Sequence, residues 1–227
     1  MNKKKYEKLS SLFLRLNGYF LVNNFIIHAG DDTTKINKAG IISQHTEMDT
    51  LGIRMPYQKE VSGDLNIVNN KDLILENDKI DFVIVESKSG NSNKPNSTWI
   101  NLDKIDTVKY ILRFFGIFKI EEEIHEASVE LLKNFSVSRN NFQFRYIVIS
   151  ETPNDHYLRK GIKYITYDSI IDFIARIRAE CWIDKKIGVT SYHGQWDDFM
   201  REIFELANNF NISQKERIQA IRGYLNK

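Results

Sequence analysis

Apolar residues recur at three- and four-residue spacing through Leu9, Leu12, Phe13 and Leu16, so the chain opens on an amphipathic helix over 3–16 that Gly18 ends. The period then drops to that of a strand over 19–27, and an alternating segment over 47–53 reads as a second strand. Period-two alternation puts Glu47, Asp49 and Leu51 on one of its faces and Met48, Thr50 and Gly52 on the other. Residues 82–85, Phe-Val-Ile-Val, are apolar on both faces and predict a central strand covered above and below. Helical spacing returns over 99–115, closed by Gly116, and again over 121–134. Short β-branched runs at 145–150 and 164–166 predict two more strands. A helix follows, capped by Asp168 or Ser169 and running through Ile174, Ile177 and Cys181. Two last helices are expected near 196–208 and 213–225.

Polar segments separate these elements. Residues 29–43 read as a long loop, 56–79 as an insertion with a short hairpin around 65–68 and 73–75, and 89–96 as a turn-rich, mobile loop. The alternation of helices and strands is that of an α/β fold. With 227 residues there is enough chain for one core domain, 1–182, and a C-terminal helical extension, 183–227, packed on it.

The apolar run at 82–85 stops at Glu86-Ser87-Lys88, where an acid and an amine leave one strand end on the same face. Such a pair is suited to holding a divalent metal and countering a negatively charged transition state. Spacing alone is weak evidence, since Asp184-Lys185-Lys186 repeats it with no strand around it. What distinguishes Glu86 is its approach. Asp49 lies on a strand that can neighbour it, and Glu7 lies near the start of the first helix.

Each of these residues has a plainer reading. Glu86 and Lys88 also suit a charge pair at a sheet end, and Glu7 equally suits a first-turn acid facing the positive end of the helix dipole. Glu47 reads as a strand-end residue, or as an outer group holding a metal-bound water rather than the metal itself.

The order helix, strand, strand with an acid, strand ending in acid-any-Lys, helix, strand resembles the PD-(D/E)xK nuclease superfamily over roughly residues 1–175. That superfamily has the restriction-endonuclease-like fold and includes Holliday junction resolvases, Mrr-like enzymes and RecB-like nuclease domains. The resemblance implies an αβββαβ core, a central mixed sheet flanked by helices, here with a C-terminal helical addition. It implies a metal-dependent nuclease, with DNA as the first expected substrate and an endonuclease of restriction, repair or defence type as the first expected activity. Asp49, Glu86 and Lys88 with Glu7 would be the catalytic set. Asp49, Glu86 and Glu7 would hold Mg²⁺, with Mn²⁺ a substitute, and Lys88 would position the attacking water or stabilise the phosphate oxyanion. Met48 stands where many members have Pro, and Asp106 replaces the Gln of the RecB-like Gln-x-x-x-Tyr motif when it is aligned on Tyr110. A catalytically inactive nucleic-acid or protein-binding module on the same fold is the alternative, and a hydrolase of small phosphorylated substrates a second one.

Charge adds little by itself, since the net value is +2. Local clusters at Lys3-Lys4-Lys5, at Arg159-Lys160 with Lys163, and at Lys185-Lys186 form a nucleic-acid track only where they gather beside the carboxylates. The single cysteine, Cys181, excludes an intramolecular disulfide and a thiolate metal cluster. The five histidines lack paired metal-ligand spacing, and there is neither a phosphate-binding Gly-rich loop nor a Gly-x-Ser-x-Gly elbow. With no apolar run near 20 residues and no signal-peptide pattern, the expectation is a cytoplasmic protein away from membranes, with a homodimer admitted.

Overall fold

The computed structural model describes residues 2–28, 45–57, 61–62, 65–66, 69–74, 78–90, 92–179 and 197–227. Helix α1, Lys3–Leu16, starts where the Asn2 side chain accepts the Lys5 N–H, and stops at Asn17 before Gly18 at φ +85°. Strands β1, Phe20–His28, and β2, His45–Arg54, pair antiparallel. A two-residue ladder joins β3, Val61–Ser62, to β4, Leu65–Asn66, and β5 is Ile80–Ser87. Then follow α2, Ser97–Ile100, α3, Ile105–Phe115, and α4, Glu121–Asn134. The remaining elements are β6, Ser136–Ser138, β7, Phe142–Ser150, α5, Asp155–Arg159, β8, Lys163–Thr166, α6, Tyr167–Asp172, α7, Asp198–Ala207, and α8, Gln214–Asn226.

One mixed open sheet runs in the order β1, β2, β5, β7, with β6 and β8 sharing the far edge of β7. β2 meets β5 antiparallel, whereas β5, β7 and β8 are parallel. β5 is central and covered on both sides, as its apolar run requires. Val83 and Val85 pack with α1, α6, α7 and α8, and Phe82 and Ile84 pack with α3 and α4. The chain is thus an α/β fold of three layers. Helices α7 and α8 share the core of α1 and α6 through Ile203, Ala207, Ile221 and Leu225. The boundary expected at residue 182 lies outside the described residues.

Several local expectations shift for identifiable reasons. The helix expected from residue 99 is broken into α2, a 3₁₀ turn and α3, because the Asn96 and Asn101 side chains accept the N–H groups of Thr98 and Asp103 and restart the backbone twice. Thr166, not Asp168 or Ser169, caps α6 by accepting the Ser169 N–H at 3.2 Å. Beyond α6 the helix widens into π-helical turns over Phe173–Arg178. The loop before α2 is tied down: the Asn93 amide reaches Pro153 O and accepts from Asn154, and Tyr164 donates to Asn93 O at 2.8 Å. Gly52 is fixed by close approach, since a Cβ there would lie 2.8 Å from Val83 Cγ2. Among the described residues no helix is long and apolar enough to cross a membrane.

Candidate functional site

The site is made where β2 and β5 part. Their ladder ends at the Thr50 and Val85 pair, while β5 continues to Ser87, held on its other side by β7. The next rung is replaced by a side chain: Ser87 N–H donates to Asp49 Oδ2 at 2.7 Å. On the β1 side, Asn23 pairs with Thr50 and Phe25 with Met48, and Asn24 between them takes φ +53°, which Asn tolerates better than most residues.

This kink breaks the period of two. Met48 and Leu51 both join the core under α3 and α4, while Thr50 approaches Ser11 of α1 at 3.5 Å. Asp49 and Leu51 therefore do not share the face that alternation assigns them. Asp49 lies instead on the α1 side, in a cleft of about 530 Å³ that also takes in Glu7, Ser11, Asn23 and Asn24.

Burial raises the Asp49 pKa to about 6, and the nearby charges of Glu7 and Glu86 add to it against the Ser87 N–H and Lys3, which lower it. The cleft therefore holds an acid in want of positive charge. Glu7 is only partly exposed and is held by Lys3 at 3.3 Å in an i, i+4 pair. The rim is cationic, with Lys3, Lys4, Lys8 and Arg15 along α1, and Asp197 and Met200 of α7 form part of the lining.

Glu86 leaves β5 toward the other layer and is 12% exposed. Lys88, 22% exposed, meets its Oε1 at 2.5 Å. Its Oε2 accepts the Asn96 N–H at 2.9 Å and the Tyr146 hydroxyl, whose ring stacks on Trp99. Burial and then the Glu86 charge hold the Tyr146 hydroxyl well above its ordinary pKa, so it stays a donor. The structure thus brings Asp49 and Glu7 into one cleft and pairs Glu86 with Lys88 at the adjoining strand end. Glu86 is near enough to act on the Asp49 charge, but it is turned toward Lys88, Asn96 and Tyr146. The side chains of Glu47 and His45 lie outside what is described, as do Cys181, Lys185 and Lys186.

Of the basic clusters, the N-terminal one divides. Lys3 and Lys4 line the cleft, whereas Lys5 donates to Tyr224 O at 2.8 Å and packs over that ring. Lys163 is taken up by Asp72 at 2.6 Å. Lys8, Arg15 and Asn23 are not singled out by sequence spacing, whereas the helices from Gln195 onward are a sequence-level candidate for a substrate clamp. A helical wheel of α1 was the available signal, since 4, 8, 11 and 15 fall along one face.

Carboxylate oxygens are the donors that Mg²⁺ takes, and the raised pKa of Asp49 marks where a cation would be stabilised. The residues fit such an ion in kind. Among the described residues, no three His, Cys, Asp or Glu side chains already form a set that could hold a metal, consistent with Glu86 being engaged elsewhere. No family model, curated protein or solved structure matches the chain.

Proposed function

We propose that the protein is a metal-dependent nuclease that hydrolyses phosphodiester bonds, with DNA as its first candidate substrate. The observation that carries the proposal is Asp49, placed at the parting of β2 and β5 with its pKa raised to about 6, beside Glu7 and next to the Glu86 and Lys88 pair. An acid so placed is costly to the fold and calls for a functional reason.

Asp49 and Glu7 would hold Mg²⁺, or Mn²⁺ in its place, together with Glu86 once it turns from Lys88. When bound, the ion supplies charge against the phosphate and acidifies a water. Ser87 N–H fixes one Asp49 oxygen and leaves the other to face the cleft. Until that turn, Tyr146 and the Asn96 N–H hold the second Glu86 oxygen at the strand end, so Glu86 would join the ion by leaving these donors as well as Lys88. Lys88, released by the same movement, has an ammonium to donate to a phosphate oxygen or to the attacking water.

The engagement of both Glu86 oxygens favours a second reading, a nucleic-acid-binding module without catalysis. Incubation of purified protein with supercoiled plasmid separates the two. Nicking in Mg²⁺ or Mn²⁺ that stops with a chelator supports the nuclease, while metal-independent binding with no cleavage of any DNA or RNA supports the module.

A further inference from the structure

The two walls of the Asp49 cleft differ in charge. On α1, Lys3, Lys4, Lys8 and Arg15 are all exposed, and the rise from residue 3 to residue 15 is about 18 Å. An unpaired strand laid along that length would meet these cations with several of its phosphates. The facing wall carries Asp197, the N-cap of α7, which holds Lys8 at 3.2 Å, while Asp198 after it is engaged by Arg201. A duplex entering the cleft would bring its second strand against the Asp197 carboxylate. The volume of about 530 Å³ is that of a small-molecule site, room for a nucleotide or two beside Asp49 rather than for both strands. Asn23 and Asn24 lie exposed beside that space, and the Asn23 Oδ1 is fixed by Ser11 and Thr50, which leaves its amide N–H groups to donate.

We propose that the cleft seats one unpaired strand of nucleic acid, phosphates along α1 and the scissile bond toward Asp49, so that the substrate is single-stranded or locally opened rather than intact duplex. The inference deepens the nuclease reading and rests on it for the chemistry. Lys8 and Lys3 would exchange their carboxylate partners for phosphates as the strand enters.

Fluorescence anisotropy in a chelator tests the seat, with a fluorescein-labelled oligothymidylate of about twenty nucleotides against a blunt duplex of the same length at several salt concentrations. The single strand should bind at least about tenfold more tightly. Lys4→Gln with Arg15→Gln should weaken it about tenfold and flatten the log-log salt slope by about 1.4, two phosphate contacts at about 0.7 each. Lys133→Gln, on α4 across the sheet, should change neither, and circular dichroism melts should show all variants folded. Asp197→Lys should raise duplex affinity. Equal binding of duplex and single strand, or an unchanged slope in the double variant, overturns the seat. A protein that cuts both substrates alike keeps the proposed chemistry and loses the seat. One that binds the single strand with the expected slope yet cuts nothing in Mg²⁺ keeps the seat and loses the chemistry.

Discussion

An acid stands at each end of β5, Asp81 on the strand itself and Asp49 on β2 beside its far end, and the fold treats them in opposite ways. Asp81, at the start, is 0% exposed and fully answered: Gln143 and Arg145 Nε each donate to Oδ1 at 3.0 Å, and Tyr19 and Arg145 Nη2 donate to Oδ2. Its antiparallel partner Arg54 is also buried, donates to Asn17 O and Leu73 O, and lies over the Tyr19 ring at 4.8 Å. At the other end Asp49 has one backbone N–H and two repelling carboxylates. A buried charge closed on its partners specifies structure. A half-buried charge left short of partners marks the place where something else must bind.

The largest way to break this contrast is at the closed end. Asp81→Asn keeps the shape but leaves Arg145 without its counter-charge, and should cost about 3 to 5 kcal/mol in urea unfolding. A loss under about 1 kcal/mol would show Arg145 to be solvated and the two ends to be alike. Cleavage, if measured where the variant is still folded, should survive.

The open end should respond in activity rather than in folding. Asp49→Asn, Glu86→Gln and Lys88→Ala are each expected to lower Mg²⁺-dependent cleavage at least about a hundredfold, about 2.7 kcal/mol of barrier, with binding retained. Their effects should be non-additive, because residues acting as one unit fail together. Cleavage that persists in Asp49→Asn with Glu86→Gln places the chemistry elsewhere.

This contrast was only half legible in the sequence. The open end announced itself, because an apolar run that stops at Glu86 and Lys88 is a local pattern, and the helical face of α1 and the two-sided burial of β5 follow from periodicity. Asp81 and Arg145 sit inside apolar runs too, but their match depends on the parallel register of β5 and β7, which a single sequence does not state. The same holds for Tyr146 and Asn96 on Glu86, and for α7, which reaches the cleft from about 150 residues away in the chain. The face of Asp49 was misread because alternation assumes an unbroken ladder, and the ladder breaks there at Asn24.

The smallest effect is the one that most sharpens the comparison. The folded chain holds the Asp49 proton more tightly than the unfolded chain, with a pKa of about 6 against an ordinary 3.8. Stability contributed by this group therefore falls as pH rises through that interval, and the full penalty is present at neutral pH. Asp49→Asn removes the charge and keeps an oxygen for the Ser87 N–H, so it should stabilise the fold at pH 7 by about 1 kcal/mol, after discounting the shift for the partial exposure of the group. The gain should fade as pH falls from about 6 to about 4, where the folded chain holds Asp49 neutral, and it is opposite in sign to the loss expected for Asp81→Asn at pH 7. Mg²⁺ should raise the wild-type melting temperature at pH 7, by the equivalent of about 1.4 kcal/mol at ten times its Kd, and leave Asp49→Asn nearly unmoved. Thermal melts of both proteins across pH 4 to 8, with and without Mg²⁺, measure all of this. A variant that is less stable than wild type at pH 7 would mean that Asp49, like Asp81, is there to hold the fold.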